Sequence, residues 1–92
     1  MRPGSRVAAT GPSGLFTVTG QVAKALGALV TAGEHGVTAL EASSWAFRLG
    51  AYVHTLRHRH ALTVETVREL HDGGWHGRYV LRSPVTLAGG EA

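Results

Sequence analysis

The 92-residue sequence contains no cysteine, few acidic residues and no long apolar run. The lack of cysteine excludes a disulfide framework, thiolate zinc sites and thiol nucleophiles. The longest near-apolar stretch, residues 25–32, is far shorter than the roughly 20 residues that span a bilayer, and no charged-then-apolar signal peptide opens the chain. We therefore expect a soluble cytoplasmic protein. Because so short a chain buries only about 60% of its unfolded surface, a large two-lobed enzyme is also excluded.

Positive charge is concentrated in the second half of the chain. The net charge of +3, from nine Lys and Arg against six Asp and Glu, is a weak indicator of nucleic-acid binding. Residues 45–82, however, hold six arginines and five histidines against three acidic residues. Arginine favours bidentate contacts with phosphate or guanine, although a GC-rich genome would also raise the share of arginine. The clustering, rather than the total, favours a polyanionic partner.

The first third of the chain predicts one helix. Residues 1–14 contain two prolines and three glycines with little apolar periodicity, which is typical of a flexible basic arm. Apolar residues then repeat at helical spacing between positions 22 and 30. Thr19 is a suitable N-cap and Gly33 a suitable stop, so we predict a helix over residues 20–32.

Two further helices are predicted in the middle of the chain. Thr38 and Glu41 match the capping box S/T-x-x-E, which predicts a short helix over residues 39–43. Two serines follow and provide the cap of another helix over residues 45–58, whose apolar residues keep a regular helical stripe.

After this helix the apolar period changes from 3.6 to 2. Residues 62–68 are rich in β-branched side chains and predict a strand. The glycine-rich residues 71–77 predict a turn, and residues 78–82 a returning strand that ends before Pro84. The tail over residues 86–92 is expected to fray.

This order of elements is that of a winged helix-turn-helix, an α+β fold of three helices followed by a β-hairpin wing. Three segments strengthen the interpretation: GVTALE at 36–41, RLGAYVHTLR at 48–57 and GGWHGRYVL at 73–81. With them the chain resembles small winged helix proteins of bacteriophages, prophages and proteobacteria. The resemblance covers about residues 21–81 and implies a winged helix fold and a DNA-binding role. With the arm and the tail set apart, we place the domain at residues 15–85.

A winged helix places the start of its third helix in the major groove and its wing beside the duplex. Arg48 is therefore the best candidate for a guanine or phosphate contact, although an ordinary solvated position is the competing interpretation. Arg57 would also neutralise phosphate. The outer face of the helix has no Asn or Gln, so readout of adenine is expected to be poor. The candidate nucleic-acid-binding residues are Ser43, Ser44, Arg48, Thr55, His58, Arg59, Arg68, His76 and Arg78.

A second hypothesis is a protein-interaction module on the same fold, such as a phage inhibitor or adaptor that docks on host polymerase, nuclease or a CRISPR-type defence complex. His54 and Trp75 are its candidate partner-binding residues. We expect Trp75 to pack back on the third helix as a lid; the alternative is an exposed contact for a partner.

Enzyme chemistry and cofactors are not expected. His54 and His58 could share a metal ion on one helix face, but two imidazoles without a third ligand are not a complete site. Ser43 or Ser44 with His54 and Glu41 supply the residue types of a triad without a predicted oxyanion hole. The expected partner is double-stranded DNA, with a homodimer as a further possibility because a single small module buries limited surface.

Overall fold

The computed structural model describes residues 6–38 and 48–88. Within these residues the chain forms two helices and two three-stranded antiparallel sheets. The elements in chain order are β1 (Arg6–Gly11), β2 (Gly14–Thr19), α1 (Gly20–Ala32), β3 (Val37–Thr38), α2 (Leu49–Arg59), β4 (Val64–His71), β5 (Gly74–Leu81) and β6 (Thr86–Leu87), with one 3-10 turn at Gly33–His35.

One sheet carries the wing and has the strand order β3-β5-β4. Strands β4 and β5 pair without interruption from Val64 opposite Leu81 to His71 opposite Gly74. The turn is therefore only Asp72 and Gly73, tighter than the predicted turn over residues 71–77, because the pairing continues to the tip of the hairpin.

The other sheet, of order β2-β1-β6, occupies the segments predicted to be a flexible arm and a frayed tail. That prediction is wrong for residues 6–14 and for β6. Strands β1 and β2 place Ala9 and Val18 in the core, at 0% and 3% exposure, and Ala9 also pairs with Leu87 of β6. The apolar residues alternate here as in any half-buried hairpin, but the proline and glycines of the turn obscure the pattern.

The predicted architecture of three helices followed by a hairpin wing is thus wrong for the described part of the chain. That part contains two helices, and the wing sheet gains a third strand from β3 while a second sheet forms from the chain ends. The short helix predicted over residues 39–43, the serine cap after it and the first residues of the helix predicted over 45–58 lie outside the described residues. Helix α2 begins at Leu49 and ends at Arg59.

Helix α1 has the predicted bounds. Its stop is Gly33, with a φ of 56°, whose N–H donates to the Leu29 carbonyl. Thr19 occupies the N-cap position, but its side chain makes no capping hydrogen bond. Neither helix in the described residues is long and apolar enough to cross a membrane.

The core lies between the two helices and the inner faces of both sheets. Its most deeply buried large side chains are leucines and valines, each of which contributes about 1.5–3 kcal/mol by leaving water. They are Leu26, Leu29, Leu49, Val53, Leu56 and Val80.

Gly36 sets the close approach of β3 to β5. Its φ is 73°, and a Cβ built on it would lie 2.6 Å from the Tyr79 carbonyl oxygen and 2.8 Å from Cγ2 of Val80. Only glycine fits at this position, because an added methyl group meets both a disfavoured backbone conformation and a carbonyl that β5 holds in place.

We predict that Gly36→Ala destabilises the fold by roughly 2–4 kcal/mol, the sum of backbone strain and overpacking. Chemical denaturation measures the change. Gly27→Ala is the matched control, because nothing lies within 4 Å of a Cβ at this helical glycine, and it should leave stability unchanged or raise it. Equal stability of the two variants would contradict the conclusion that only glycine fits at position 36.

Candidate nucleic-acid interface

The solvent face of α2 carries two histidines. Leu49, Val53 and Leu56 turn toward the core, and at 100° per residue His54 and His58 lie on the opposite side. Both rings are exposed, and their centroids are 4.2 Å apart at an interplanar angle of 35°. The exposed strip of the helix that carries these two rings is therefore polar.

One flank of α2 is fixed to the wing sheet. The Arg57 guanidinium donates from Nε and Nη2 to the Val64 carbonyl at 3.0 and 2.6 Å, and from Nη2 to Oγ1 of Thr66 at 2.9 Å. Near the start of the helix, the Tyr79 hydroxyl lies 3.3 Å from where a Gly50 Cβ would be. Arg57 thus holds the helix against β4, in contrast to the phosphate role predicted for it.

The other flank faces the N-terminal hairpin. Arg48, Thr55 and Arg59 fall within about 40° of one another around the helix axis. Thr55 and Arg59 line a hollow of about 390 Å³ together with Thr17 of β2, while Thr55 Oγ1 donates to the Ala51 carbonyl at 3.2 Å. Arg48 and Arg59 are exposed, and neither side chain has a hydrogen bond or ion pair within the described part of the chain.

The N-terminal hairpin is attached at the end of α2 by an aromatic contact. The ring of Phe16 stacks on His60 with centroids 4.9 Å apart and an interplanar angle of 29°. Partial burial lowers the pKa of His60, and the positive charge of Arg59 lowers this pKa further. The hairpin and the helix end therefore form a continuous surface around Arg59.

Two of the predicted wing residues are engaged by a carboxylate. Glu69 lies opposite His76 in the hairpin and is 2.9 Å from its Nε2. The Arg78 Nε donates to Glu69 at 2.7 Å, and its Nη1 donates to the His35 carbonyl at 3.2 Å. The hydrogen bond from Arg78 is the main cause of a lowered pKa of Glu69, with His76 contributing. Arg78 therefore links the wing to the 3-10 turn, and little of its side chain is exposed.

The wing tip is apolar and exposed. Leu70 and Trp75 are cross-strand partners, 83% and 53% exposed. The Arg68 guanidinium lies over the Trp75 ring, 4.4 Å from its centroid, and the ring edge lies 4.0 Å from the Cβ position of Gly77. Trp75 therefore covers its own hairpin, and the expectation that it forms a lid on the third helix is wrong.

The predicted site residues accordingly separate into three groups. Helix α2 brings together Arg48, Thr55, His58 and Arg59, with His54 beside them; Arg68 and Trp75 meet at the wing tip; and His76 and Arg78 are bound to Glu69. Ser43 and Ser44 lie outside the described residues. The sequence did not indicate that Arg57 joins α2 to β4. It also did not indicate that Glu69 binds His76 and Arg78, which follows from the register of the hairpin.

Metal-ligating side chains do not converge in the described ranges, 6–38 and 48–88. No group of three or more His, Asp or Glu residues there has the arrangement to hold an ion. The two histidines of α2 are a pair without a third protein ligand in this part of the chain.

We predict an acid-sensitive contribution of Glu69 to stability. Because its pKa in the fold lies below the ordinary value of 4.5, this contribution is complete above pH 4.5 and is lost as the pH falls through the lower folded value. Glu69→Gln should therefore be less stable than the unaltered chain at neutral pH, and the two should converge on acidification, as measured by urea unfolding from pH 7 to 3.

Glu65→Gln is the matched control. Among the described residues its carboxylate pairs with the half-exposed Arg82, at 2.8 Å, and exposed pairs contribute little. A constant difference between Glu69→Gln and the unaltered chain at every pH would show that the carboxylate charge is not what matters.

Residues 15–91 match a family model described as "Winged helix domain". The match begins in the N-terminal hairpin and includes both helices, the wing and β6. The comparisons with curated proteins and with solved structures gave no match.

Proposed function

The chain belongs to the winged helix domain family, and from this premise we propose that it is a small DNA-binding protein, a phage- or prophage-type transcriptional regulator that acts in the cytoplasm. The observation that carries the proposal is the surface of α2. Two exposed arginines without a polar partner in the described residues and two exposed histidines share one side of a helix that the core and Arg57 hold rigid. A cationic, preorganised helix face suits a polyanion.

In the proposed complex α2 enters the major groove. Arg48 stands at the start of the helix, where a helix-turn-helix contacts base edges, and its planar fork suits guanine or a phosphate. His54 and His58 lie on the adjoining exposed strip of the helix, and the small residue Ala51 beside them allows the helix backbone to approach the duplex closely. The proposed contacts favour affinity over sequence discrimination, because the described face offers no amide side chain for adenine.

The wing would contact the backbone through Arg68 rather than Arg78. Arg78 is committed to Glu69 and to the His35 carbonyl, so moving it to a phosphate would break both contacts. Arg68 stacks on Trp75, and its guanidinium is exposed beside the tip. A homodimer would add a second recognition helix, which a module of this size needs for tight binding.

We predict that the chain binds random duplex DNA at low salt and that Arg48→Ala weakens binding about tenfold, the loss expected for one good arginine contact. Fluorescence anisotropy of a labelled duplex between 20 and 200 mM salt measures both the affinity and its salt dependence, and each phosphate contact adds a log–log slope of about −0.9.

Arg82→Ala is the matched control. It removes the same formal charge, but Arg82 is already paired with Glu65 at the base of the wing, so the affinity should change little. Absence of binding at the lowest salt would refute the proposed function, and equal losses in the two variants would show that net charge alone matters.

The exposed wing tip favours a second candidate, a module that docks on host nucleic-acid machinery. Leu70 and Trp75 present adjacent apolar side chains that the described core does not cover, and exposed aromatic side chains are typical anchors of protein interfaces. The partner would offer an apolar pocket with acceptors at its rim for Arg68.

We predict that Leu70→Ser weakens capture of such a partner from nuclease-treated host lysate while DNA binding and thermal stability are retained. The separation is expected because Leu70 does not belong to the core and Arg68 keeps its contact with Trp75. If the variant instead loses DNA affinity and the unaltered chain captures nothing specific, the tip serves DNA binding and the docking hypothesis is wrong.

A further inference from the structure

We propose that the N-terminal hairpin of β1 and β2 is a second wing, which together with the Arg48, Thr55 and Arg59 flank of α2 forms a groove for the phosphate backbone of duplex DNA. This inference rests on the proposed function and extends it to a hairpin whose first strand, β1, lies outside the winged helix domain predicted over residues 15–85. The first wing lies on one side of α2, and the second lies on the other.

The position of the hairpin follows from the two flanks of α2. Gly50 and Arg57 face the β4–β5 sheet through Tyr79 and the Val64 carbonyl. Thr55 and Arg59, about 160–200° around the helix from Arg57, share a hollow with β2. The exposed strip that carries His54 and His58 therefore runs between two hairpins, so a duplex lying on this strip reaches both.

The hollow has the chemistry of a phosphate site. It is lined by Thr17, Thr19, Thr55, Arg59 and His60, together with Val18 and Val22. Thr17, Thr19 and Arg59 carry side-chain donors, whereas the Thr55 hydroxyl already donates to the Ala51 carbonyl. None of its lining residues is acidic. Hydroxyls and guanidinium groups donate hydrogen bonds to phosphate oxygens, which is how proteins set their register on DNA without reading bases.

Arg59 also borders a second hollow, of about 360 Å³, beside the hairpin turn at Ser13 and Gly14. The charge of Arg59 is not neutralised by an acidic side chain in the described residues. It lies close enough to His60 to lower the pKa of that ring further, beyond the effect of burial. The cation thus stands at the centre of a concave surface that continues from α2 onto the hairpin turn.

The hairpin is also held in place before any ligand arrives. Its strands pair over six positions and β1 pairs further with β6, while Phe16 stacks on His60 at the end of α2. A preformed groove avoids the entropy cost of ordering a flexible arm on binding. Threonine hydroxyls and a guanidinium are donors that proteins use toward phosphate oxygens, so we expect the groove to contact the DNA backbone rather than base edges.

The test is the salt dependence of duplex binding by the full chain. Arg59→Ala should weaken binding several-fold at low salt and reduce the log–log slope by about 0.9, the value of one lost phosphate contact. Arg82→Ala, which removes the same charge from an existing ion pair, should leave the slope unchanged. An Arg59→Ala slope equal to that of Arg82→Ala would overturn the inference.

A second variant tests the hairpin itself. Thr17→Val with Thr19→Val removes two hydroxyls from exposed strand positions while keeping β-branched side chains, so the hairpin should remain folded. We expect weaker binding and the loss of DNA-induced amide shifts at residues 17 and 19 in NMR spectra. Unchanged affinity, or no shifts at these amides in the unaltered chain, would contradict a second wing.

The outcomes also separate the inference from the proposed function. If the unaltered chain fails to bind duplex DNA, the proposed function is wrong and the inference falls with it. If the unaltered chain binds and Arg48→Ala weakens binding, while the Arg59 and threonine variants match Arg82→Ala, the function stands and only the second wing is wrong.

Discussion

The structure depends on how α2 is held by helix α1 and by contacts with both β-sheets. On one side the guanidinium of Arg57 makes charge-assisted hydrogen bonds to a backbone carbonyl of β4, and such bonds are among the stronger ones in proteins. On the other side Phe16 stacks on His60, while Leu49, Val53 and Leu56 fix the inner face. The contacts with DNA proposed for α2 are made by Arg48, His54, His58 and Arg59, which this arrangement leaves exposed.

The same arrangement decides which arginines are available to a ligand. Arg57 and Arg78 add to the positive charge counted in the sequence, but both side chains join elements of the fold. Arg82 is paired with Glu65. Arg48 and Arg59 project from α2 without polar partners in the described residues. The number of arginines in the sequence therefore overstates the number of guanidinium groups that are available to a ligand.

Sequence patterns predicted the helices and strands that are determined by neighbouring residues. The bounds of α1 follow from apolar spacing and from Gly33, and both strands of the wing follow from alternation around Asp72 and Gly73. The N-terminal hairpin was missed because the glycines and Pro12 of its turn outweighed a short alternating pattern. The roles of Arg57, Glu69 and Trp75 depend on cross-strand register and on packing between distant segments, which spacing along the chain does not encode.

The contact between Arg57 and Val64 also affects the exposed edge of the wing sheet. Strand β4 is the outermost strand of its sheet, and the exposed polar backbone of such a strand invites another chain to pair with it. By occupying the outward carbonyl of Val64, the guanidinium blocks that addition at the base of the wing. The side chain that positions the helix thereby also removes one backbone acceptor that an added strand would need.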